Sequence, residues 1–325
     1  MPFSFIFAGM HQLNHLFNHE PSPIEQIKAS WAEQAGVALY IKRDELLRMG
    51  SGLALCGNKW RKLKYNLLAA ESQGLSRLLT FGGAYSNHIA AVAAAGQAFG
   101  FDTVGIIRGE QPEILNPTLQ MAISCGMQLV YVSRAQYRLR HDAGWQEQLL
   151  REYGPFYLLP EGGTNDLALK GAAELARETE QQQGSFDYYC LSAGTGGTMA
   201  GLIQGCAPGT TVLGFSALKG SFLQKEVSKL LGEGQEGVAW EVINHYHFGG
   251  YAKHQEPLLR YIRNFYQAYG IPLDPIYTGK MLYGLQQEIE QGRFPAGSRI
   301  LALHTGGLQG ILGFNERYGM DLPTA

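Results

Sequence analysis

The segment Gly57-Asn58-Lys59 sets a lysine beside a Gly-Asn pair, where a helical pattern begins. Glycine lets the chain turn sharply at such a point. Arg61, Lys62 and Lys64 follow and read as one polar face of an amphipathic helix, with Leu63, Leu67 and Ala70 opposite. Lys59 stands ahead of that pattern, so it is either a surface charge or a nucleophile aimed into a cleft. A second stretch, SAGTGGTMAG from Ser192 to Gly201, follows an apolar run and opens a helix of small residues. In such a turn backbone N–H groups of Gly194, Thr195, Gly196, Gly197 and Thr198 converge on an anion, the helix dipole adds attraction, and two threonine hydroxyls donate. The alternative is a tight strand-to-helix turn that binds nothing. Counted from Gly194, the G-x-G-x-x-G pattern puts Met199 where its third glycine belongs, and no G-x-x-x-x-G-K-[ST] occurs. The anion is therefore a single terminal phosphate, not a pyrophosphate.

Three further stretches place polar groups at element boundaries. In GGAYSNH (Gly82 to His88), Ser86 and Asn87 at a helix start suit a carboxylate, or form an ordinary N-cap; His88 reads as structural. DPIYTGKMLYGL and LALHTGGLQG set Tyr277, Thr278, His304 and Thr305 beside glycines, where each alone would be a packing or capping residue. His11, His15 and His19 recur every fourth residue, and His245 and His247 are two apart. No acidic or cysteine ligand accompanies either group at a known spacing, so no metal site is expected.

The elements that must carry these residues are short apolar runs ending in glycine. RLLTFGGAYSNH, DTVGIIRGE, FYLLPEGGTND, FDYYCLSAGTGGT, TVLGFSAL and RILALHTGG read as strands buried on both faces. Helical patterns lie between them, in SNHIAAVAAAGQAFG, LALKGAAELARETEQQQG and KHQEPLLRYIRNFYQAYG. Alternation of this kind predicts an α/β fold with mostly parallel sheets, with ligands gathered beyond the carboxyl ends of the strands. A length of 325 residues suits two lobes with a cleft between them. The net charge of -2 argues against a nucleic-acid partner. Cys56, Cys125, Cys190 and Cys206 are scattered without a C-x-x-C pair, which favours reduced thiols in a cytoplasm. No apolar run is long enough for a membrane span, and the start lacks the basic leader of a secretory signal.

A nucleophilic lysine, a cradle for one phosphate and a carboxylate cap together suggest pyridoxal 5'-phosphate, whose aldehyde a lysine holds as a Schiff base. At this point the sequence resembles a known family. GNKWRKLKYNLLAA resembles the lysine segment of the D-cysteine desulfhydrase and 1-aminocyclopropane-1-carboxylate deaminase family, and SNH, PEGGTN, AGTGGTMAGL, DPIYTGK and HTGG follow in family order. PSPIEQI resembles the family's early P-T-P-L stretch, so the likeness runs from about Pro21 to the C-terminus.

The resemblance implies a two-domain tryptophan-synthase-β-like fold, with residues 1–60 and 165–325 in a larger cofactor-binding domain and 61–164 in a smaller inserted one. It implies a homodimer acting on a small amino acid. It makes Lys59 the Schiff-base lysine and gives the phosphate to Gly194, Thr195, Gly196, Gly197 and Thr198. Asn87 would meet the cofactor's phenolic oxygen; Ser86, Asn87 and His88 would receive the substrate carboxylate. Tyr277 matches the active-site tyrosine, and Tyr251 in HFGGYAKH a second one.

Two positions separate the branches. The deaminase pattern has glutamate and leucine where this chain has Thr278 and Thr305, as in desulfhydrases. A carboxylate near the pyridine nitrogen favours its protonation, whereas a neutral hydroxyl does so less. β-Elimination has a thiolate ready to leave and needs a protonated ring less than cyclopropane opening does. The expected reaction is therefore release of pyruvate, ammonia and hydrogen sulfide from D-cysteine or a related D-amino acid, with Lys59, Tyr277 and Ser86 catalytic. The alternatives are a deaminase yielding 2-oxobutyrate and a cofactor-holding protein with little catalysis. Trp60, Tyr85 and Ala90 depart from the family pattern, and bulky Trp60 and Tyr85 are expected to reshape the substrate pocket.

Overall fold

Alternation of side chains across the strands sets the architecture. In the computed structural model, which describes residues 13, 19–47, 55–232 and 237–324, the apolar runs form β-strands whose successive residues enter different cores. The strands are β1 (Ile24–Gln26), β2 (Ala38–Lys42), β3 (Arg77–Gly83), β4 (Asp102–Arg108), β5 (Gln128–Val132), β6 (Tyr157–Leu159), β7 (Tyr188–Ala193), β8 (Thr211–Ser216), β9 (Ala239–Ile243) and β10 (Arg299–Leu303). They make a six-stranded sheet ordered β1-β2-β10-β7-β8-β9, parallel except for β1, and a parallel four-stranded sheet ordered β5-β4-β3-β6. All six glycine-bounded runs are strands. β1, β2, β5 and β9 escape the sequence reading because none ends in a glycine-rich turn.

The helices are α1 (Ser30–Gln34), α2 (Gly57–Ser72), α3 (Asn87–Phe99), α4 (Pro117–Ser124), α5 (Arg134–Arg138), α6 (Ala143–Tyr153), α7 (Asp166–Gln183), α8 (Gly197–Gly205), α9 (Phe222–Leu231), α10 (Glu256–Tyr269), α11 (Thr278–Glu290) and α12 (Gly310–Tyr318). In β3, Leu78 packs with Leu63, Leu67 and Ile89, while Leu79 and Phe81 pack with Tyr137 and Leu149 on the other face. In β10, Ile300 and Ala302 join one core and Leu301 and Leu303 the opposite one. Both sheets are thus covered on both faces, as parallel sheets require. Among the described residues no helix is long and apolar enough to cross a membrane.

The polar face of α2 is not a solvent face. Arg61, Lys62 and Lys64 are 1%, 2% and 4% exposed, because Arg61 and Lys64 pack against α7 and Lys62 against the loop ahead of it. Arg61 donates from two nitrogens to both Asp44 carboxylate oxygens, each at 2.8 Å, and reaches Glu178 at 2.9 Å. Lys42 joins Glu178 at 2.6 Å, and Lys64 pairs with Glu174 at 2.8 Å. Gly171 permits the close approach, since a Cβ there would lie 1.9 Å from the Arg61 carbonyl oxygen. Periodicity marks a face as polar but cannot say whether water or a counter-charge satisfies it. His11 and His15 lie outside the described residues; the His19 ring meets Trp60 edge-on at 6.4 Å.

Candidate active site

Three helix N-termini converge at the carboxyl ends of β3, β7 and β10. The first is α2. Gly57 takes φ +55°, and a Cβ there would press to 2.5 Å from the Thr305 carbonyl oxygen. That oxygen accepts from the Asn58 N–H at 3.3 Å, so the helix starts against the loop after β10. Lys59 follows directly and lines an inner cavity, its amine 3.1 Å from Asn58 Oδ1. Burial pushes the lysine down to about 8, with Cys56 and Asp274 acting weakly the other way. Far more of this amine than of an ordinary lysine is then unprotonated near neutral pH and able to attack a carbonyl.

The second N-terminus is that of α8. Gly196 caps it at φ +81° with no side chain closing the first turn, which leaves backbone N–H groups facing the cavity. The bend needs glycine's freedom. Cβ atoms at Gly194 and Gly197 would come within 3.2 Å of the Tyr277 ring and 2.7 Å of Thr164. Thr198 accepts from Asn58 Nδ2 at 3.2 Å, and Thr195 meets Thr164 hydroxyl to hydroxyl at 2.9 Å. Lys62 donates to Thr164 at 3.0 Å and to the Gly162 carbonyl at 2.5 Å. The turn is a hydroxyl-ringed helix start in which side chains at Gly194 and Gly197 would crowd Tyr277 and Thr164.

The third N-terminus belongs to α3. Ser86 Oγ caps it, accepting from the N–H groups of His88 and Ile89 at 3.2 and 3.3 Å. Asn87 Oδ1 accepts from Gln309 Nε2 at 2.9 Å, which turns the amide so that Nδ2 remains a donor. The His88 ring meets the Thr80 hydroxyl at 2.9 Å. Burial, reinforced by Lys62 and Lys59, holds His88 well below its usual range and therefore neutral. His88 lines the inner cavity, and its ring ties α3 to β3 through Thr80.

Tyr251 and Tyr277 close one side with rings 6.2 Å apart, edge to face. Burial, then Tyr251 and Asp274, push the Tyr277 hydroxyl well above its ordinary value, so it stays protonated and can donate. Thr305 borders the inner cavity but Thr278 does not. The Thr278 hydroxyl donates to Asp274 Oδ2 at 2.6 Å, and Asp274 also accepts from the N–H groups of Ile276, Tyr277 and Thr278. Trp60 is a correction: fully buried, with its ring 6.0 Å from Phe99, it belongs to the core of the four-stranded sheet and borders neither cavity. Ala90 is buried in α3 for the same reason, so Tyr85 alone of the three departures reaches the cleft.

Sequence reasoning missed Asp274, Gln309, Lys62 and Thr164 as parts of the site. An aspartate just ahead of a helix is a capping signal that could have marked Asp274. Gln309 carries no local signal, since its contact with Asn87 spans 222 residues.

The donor set fits pyridoxal phosphate: a buried amine of lowered basicity, an uncapped helix start lined by hydroxyls, and an oriented amide donor opposite them. Relatedness agrees. The chain is 31% identical over 324 residues to the bifunctional D-cysteine desulfhydrase/1-aminocyclopropane-1-carboxylate deaminase of Arabidopsis thaliana, covering 92% of this chain and 79% of that one. It is 33% identical over 299 residues to a Pyrococcus horikoshii protein named, provisionally, a 1-aminocyclopropane-1-carboxylate deaminase, covering 88% and 89% of the two chains. A solved structure described as an ACC deaminase homologue superposes with a TM-score of 0.77 at 30% identity, over 94% of this chain and 98% of that one. Residues 16–306 match the model of the family described as pyridoxal-phosphate dependent enzymes, and the chain belongs to that family.

Proposed function

We propose that this enzyme carries out β-elimination on D-cysteine or a related D-amino acid, giving pyruvate, ammonia and hydrogen sulfide. One observation carries the choice: among the described residues no carboxylate lines the inner cavity, and Thr305 stands there instead. Asp274, the nearest acid in sequence to the active-site tyrosine, is turned to the start of α11 and accepts hydrogen bonds there. A neutral hydroxyl beside the cofactor's ring nitrogen suits a substrate that already carries a good leaving group.

Bound pyridoxal phosphate supplies an electron sink for the pair left on the α-carbon when its proton departs. In this reading Lys59 would hold the cofactor's aldehyde and, once the substrate is bound, would take the α-proton, its lowered basicity matching that task near pH 8. Gly194, Thr195, Gly196, Gly197 and Thr198 hold the phosphate, and Asn87 donates to the phenolic oxygen. Ser86, Asn87 and His88, at the start of α3, would receive the substrate carboxylate. Tyr277 donates a proton toward the departing sulfur, and Tyr251 orders it. Thr305 would stand beside the ring nitrogen; Thr278 would act through Asp274. Residues 61–164 form the smaller lobe, closing on the larger one made by 1–60 and 165–325. A homodimer in a reducing cytoplasm belongs to the same reading, the latter supported by the scattered spacing of the cysteines, none of which forms a C-x-x-C pair.

The deciding experiment incubates the protein, reconstituted with pyridoxal phosphate, with D-cysteine, L-cysteine and 1-aminocyclopropane-1-carboxylate. Sulfide and pyruvate from the D-enantiomer alone support the proposal. Release of 2-oxobutyrate from the cyclopropane would replace it with the deaminase reading, which the name of the Pyrococcus relative favours, whereas that of the Arabidopsis relative covers both activities. Bound cofactor colour without turnover of any of the three would leave a cofactor-holding protein.

A further inference from the structure

The cleft continues beyond the two tyrosines. Ser86, Gly162, Gly194, Thr195, Tyr251 and Tyr277 also border an outer cavity of about 680 Å³. Arg108, Arg134, Lys253 and Arg317 line it, from four separate parts of the chain. Its lining carries one carboxylate, Glu161, which is paired with Arg140 at 2.9 Å. Among the described residues none of the four cations forms an ion pair. In a chain of net charge -2, four unopposed positive groups around one cavity reverse the overall balance.

Two of them are held by ring faces instead of counter-charges. Arg108 lies over Tyr137 at 5.5 Å and Arg317 over Tyr85 at 5.2 Å. Stacking orients a guanidinium without neutralising it, so its N–H fork stays available. Arg108 ends β4 in register with Gly83 at the end of β3, and its guanidinium would lie 3.6 Å from a Cβ on Gly83. It therefore stands beside the loop that carries Ser86. A substrate whose α-carboxylate is held at Ser86 would extend its side chain along the wall shared by both cavities.

We propose that the outer cavity receives an anionic β-substituent, so that the substrate class is an amino acid whose leaving group ends in a sulfonate, carboxylate or phosphate. This rests on the β-elimination reading and narrows it. The thiol of cysteine is much smaller than the cavity and presents nothing that needs a guanidinium. For S-sulfocysteine the balance is simple. The α-proton goes to Lys59, its electron pair becomes the Cα–Cβ double bond, and the Cβ–S bond breaks with its pair leaving on thiosulfate. One water then converts the released 2-aminoacrylate to pyruvate and ammonia.

The test compares KM values of the holoenzyme for D-cysteine, S-sulfocysteine and neutral S-methylcysteine, each as both enantiomers, at low and high ionic strength. The expected KM for S-sulfocysteine is about tenfold below that for S-methylcysteine, the size of one charge-assisted hydrogen bond, and the gap shrinks with added salt. Arg108→Gln and Arg317→Gln, both at exposed positions, should raise KM for S-sulfocysteine about tenfold more than for D-cysteine. Equal KM values for the two S-substituted substrates, with no salt dependence, overturn this inference while D-cysteine turnover leaves the reaction type standing. If no amino acid reacts, the reaction type fails, and calorimetric titration with sulfoacetate decides the cavity separately. Binding that weakens in Arg108→Gln supports an anion site; absence of binding overturns it.

Discussion

Asn58 donates its amide N–H to the Thr198 hydroxyl across 3.2 Å, joining α2, which carries Lys59, to the first turn of α8. The same amide's oxygen lies 3.1 Å from the Lys59 amine. One side chain therefore touches both the nitrogen proposed to hold the cofactor and the turn proposed to hold its phosphate. Asn58→Ala should weaken pyridoxal phosphate binding by about tenfold, since the loss is one or two hydrogen bonds at roughly 1 kcal/mol each. Fluorescence titration of the apoprotein checks this; unchanged affinity would separate the two helices functionally.

The pH dependence of cofactor capture follows from Lys59. Its amine is lowered to about 8 by burial, so protonation blocks attack below that value and the reactive form fills in as pH rises through it. Stopped-flow absorbance of apoprotein mixed with pyridoxal phosphate should show a capture rate that climbs from pH 6.5 and levels off above about pH 9. A midpoint near that of a free lysine would mean that the cleft does not desolvate this amine. Lys59→Ala should abolish both the lysine-bound colour and turnover.

The cluster of Arg61, Asp44, Glu178 and Lys42 fixes the start of α2 from beneath. Removing one partner strands a buried charge, so Arg61→Met should cost about 3–5 kcal/mol in urea unfolding. The facing guanidinium holds Asp44 below the usual carboxylate range, against the opposing effect of its burial. Glu178 is likewise lowered, by Arg61 and then Lys42. Carboxylates depressed in the folded state stabilise it above their unfolded values near pH 4, and that stability disappears as pH falls through the folded values. The acid limb of the stability curve should therefore be steep in the wild-type chain and shallower in Arg61→Met.

Gly171 tests the helix contact from the other side. A Cβ 1.9 Å from the Arg61 carbonyl must push α7 from α2, so Gly171→Ala should destabilise by about 1–3 kcal/mol despite alanine's better helix propensity. Thermal unfolding checks the sign. A rise in melting temperature would show that the two helices can separate without cost.

Thr305 and Thr278 should part company in experiment. Thr305→Val removes the hydroxyl bordering the inner cavity and should shift the bound cofactor's absorbance and lower kcat. Thr278→Val removes a hydrogen bond to Asp274 and should cost about 1 kcal/mol or more of stability, with a smaller spectral change. The reverse pattern would return the ring-nitrogen role to Thr278.

Much of this protein is written locally. Apolar runs ending in glycine announce six strands because buried parallel strands need continuous hydrophobicity and their C-terminal turns need glycine. Gly57, Lys59, Ser86 and the Gly194 to Thr198 turn carry their chemistry in residue type and spacing, because helix starts bind anions through backbone groups that any sequence supplies once the turn is right. What only the tertiary structure decided depends on partners far away in the chain. The cations of α2 look solvated until Asp44 and Glu178 are brought against them. Trp60 looks like a pocket residue until the small sheet's core encloses it. Thr278 and Thr305 look equivalent until Asp274 takes the hydroxyl of one and the cavity meets the other. A charge, a ring or a hydroxyl has a fixed chemistry in the sequence, but its neighbours, and hence its state and role, come from contacts across the fold.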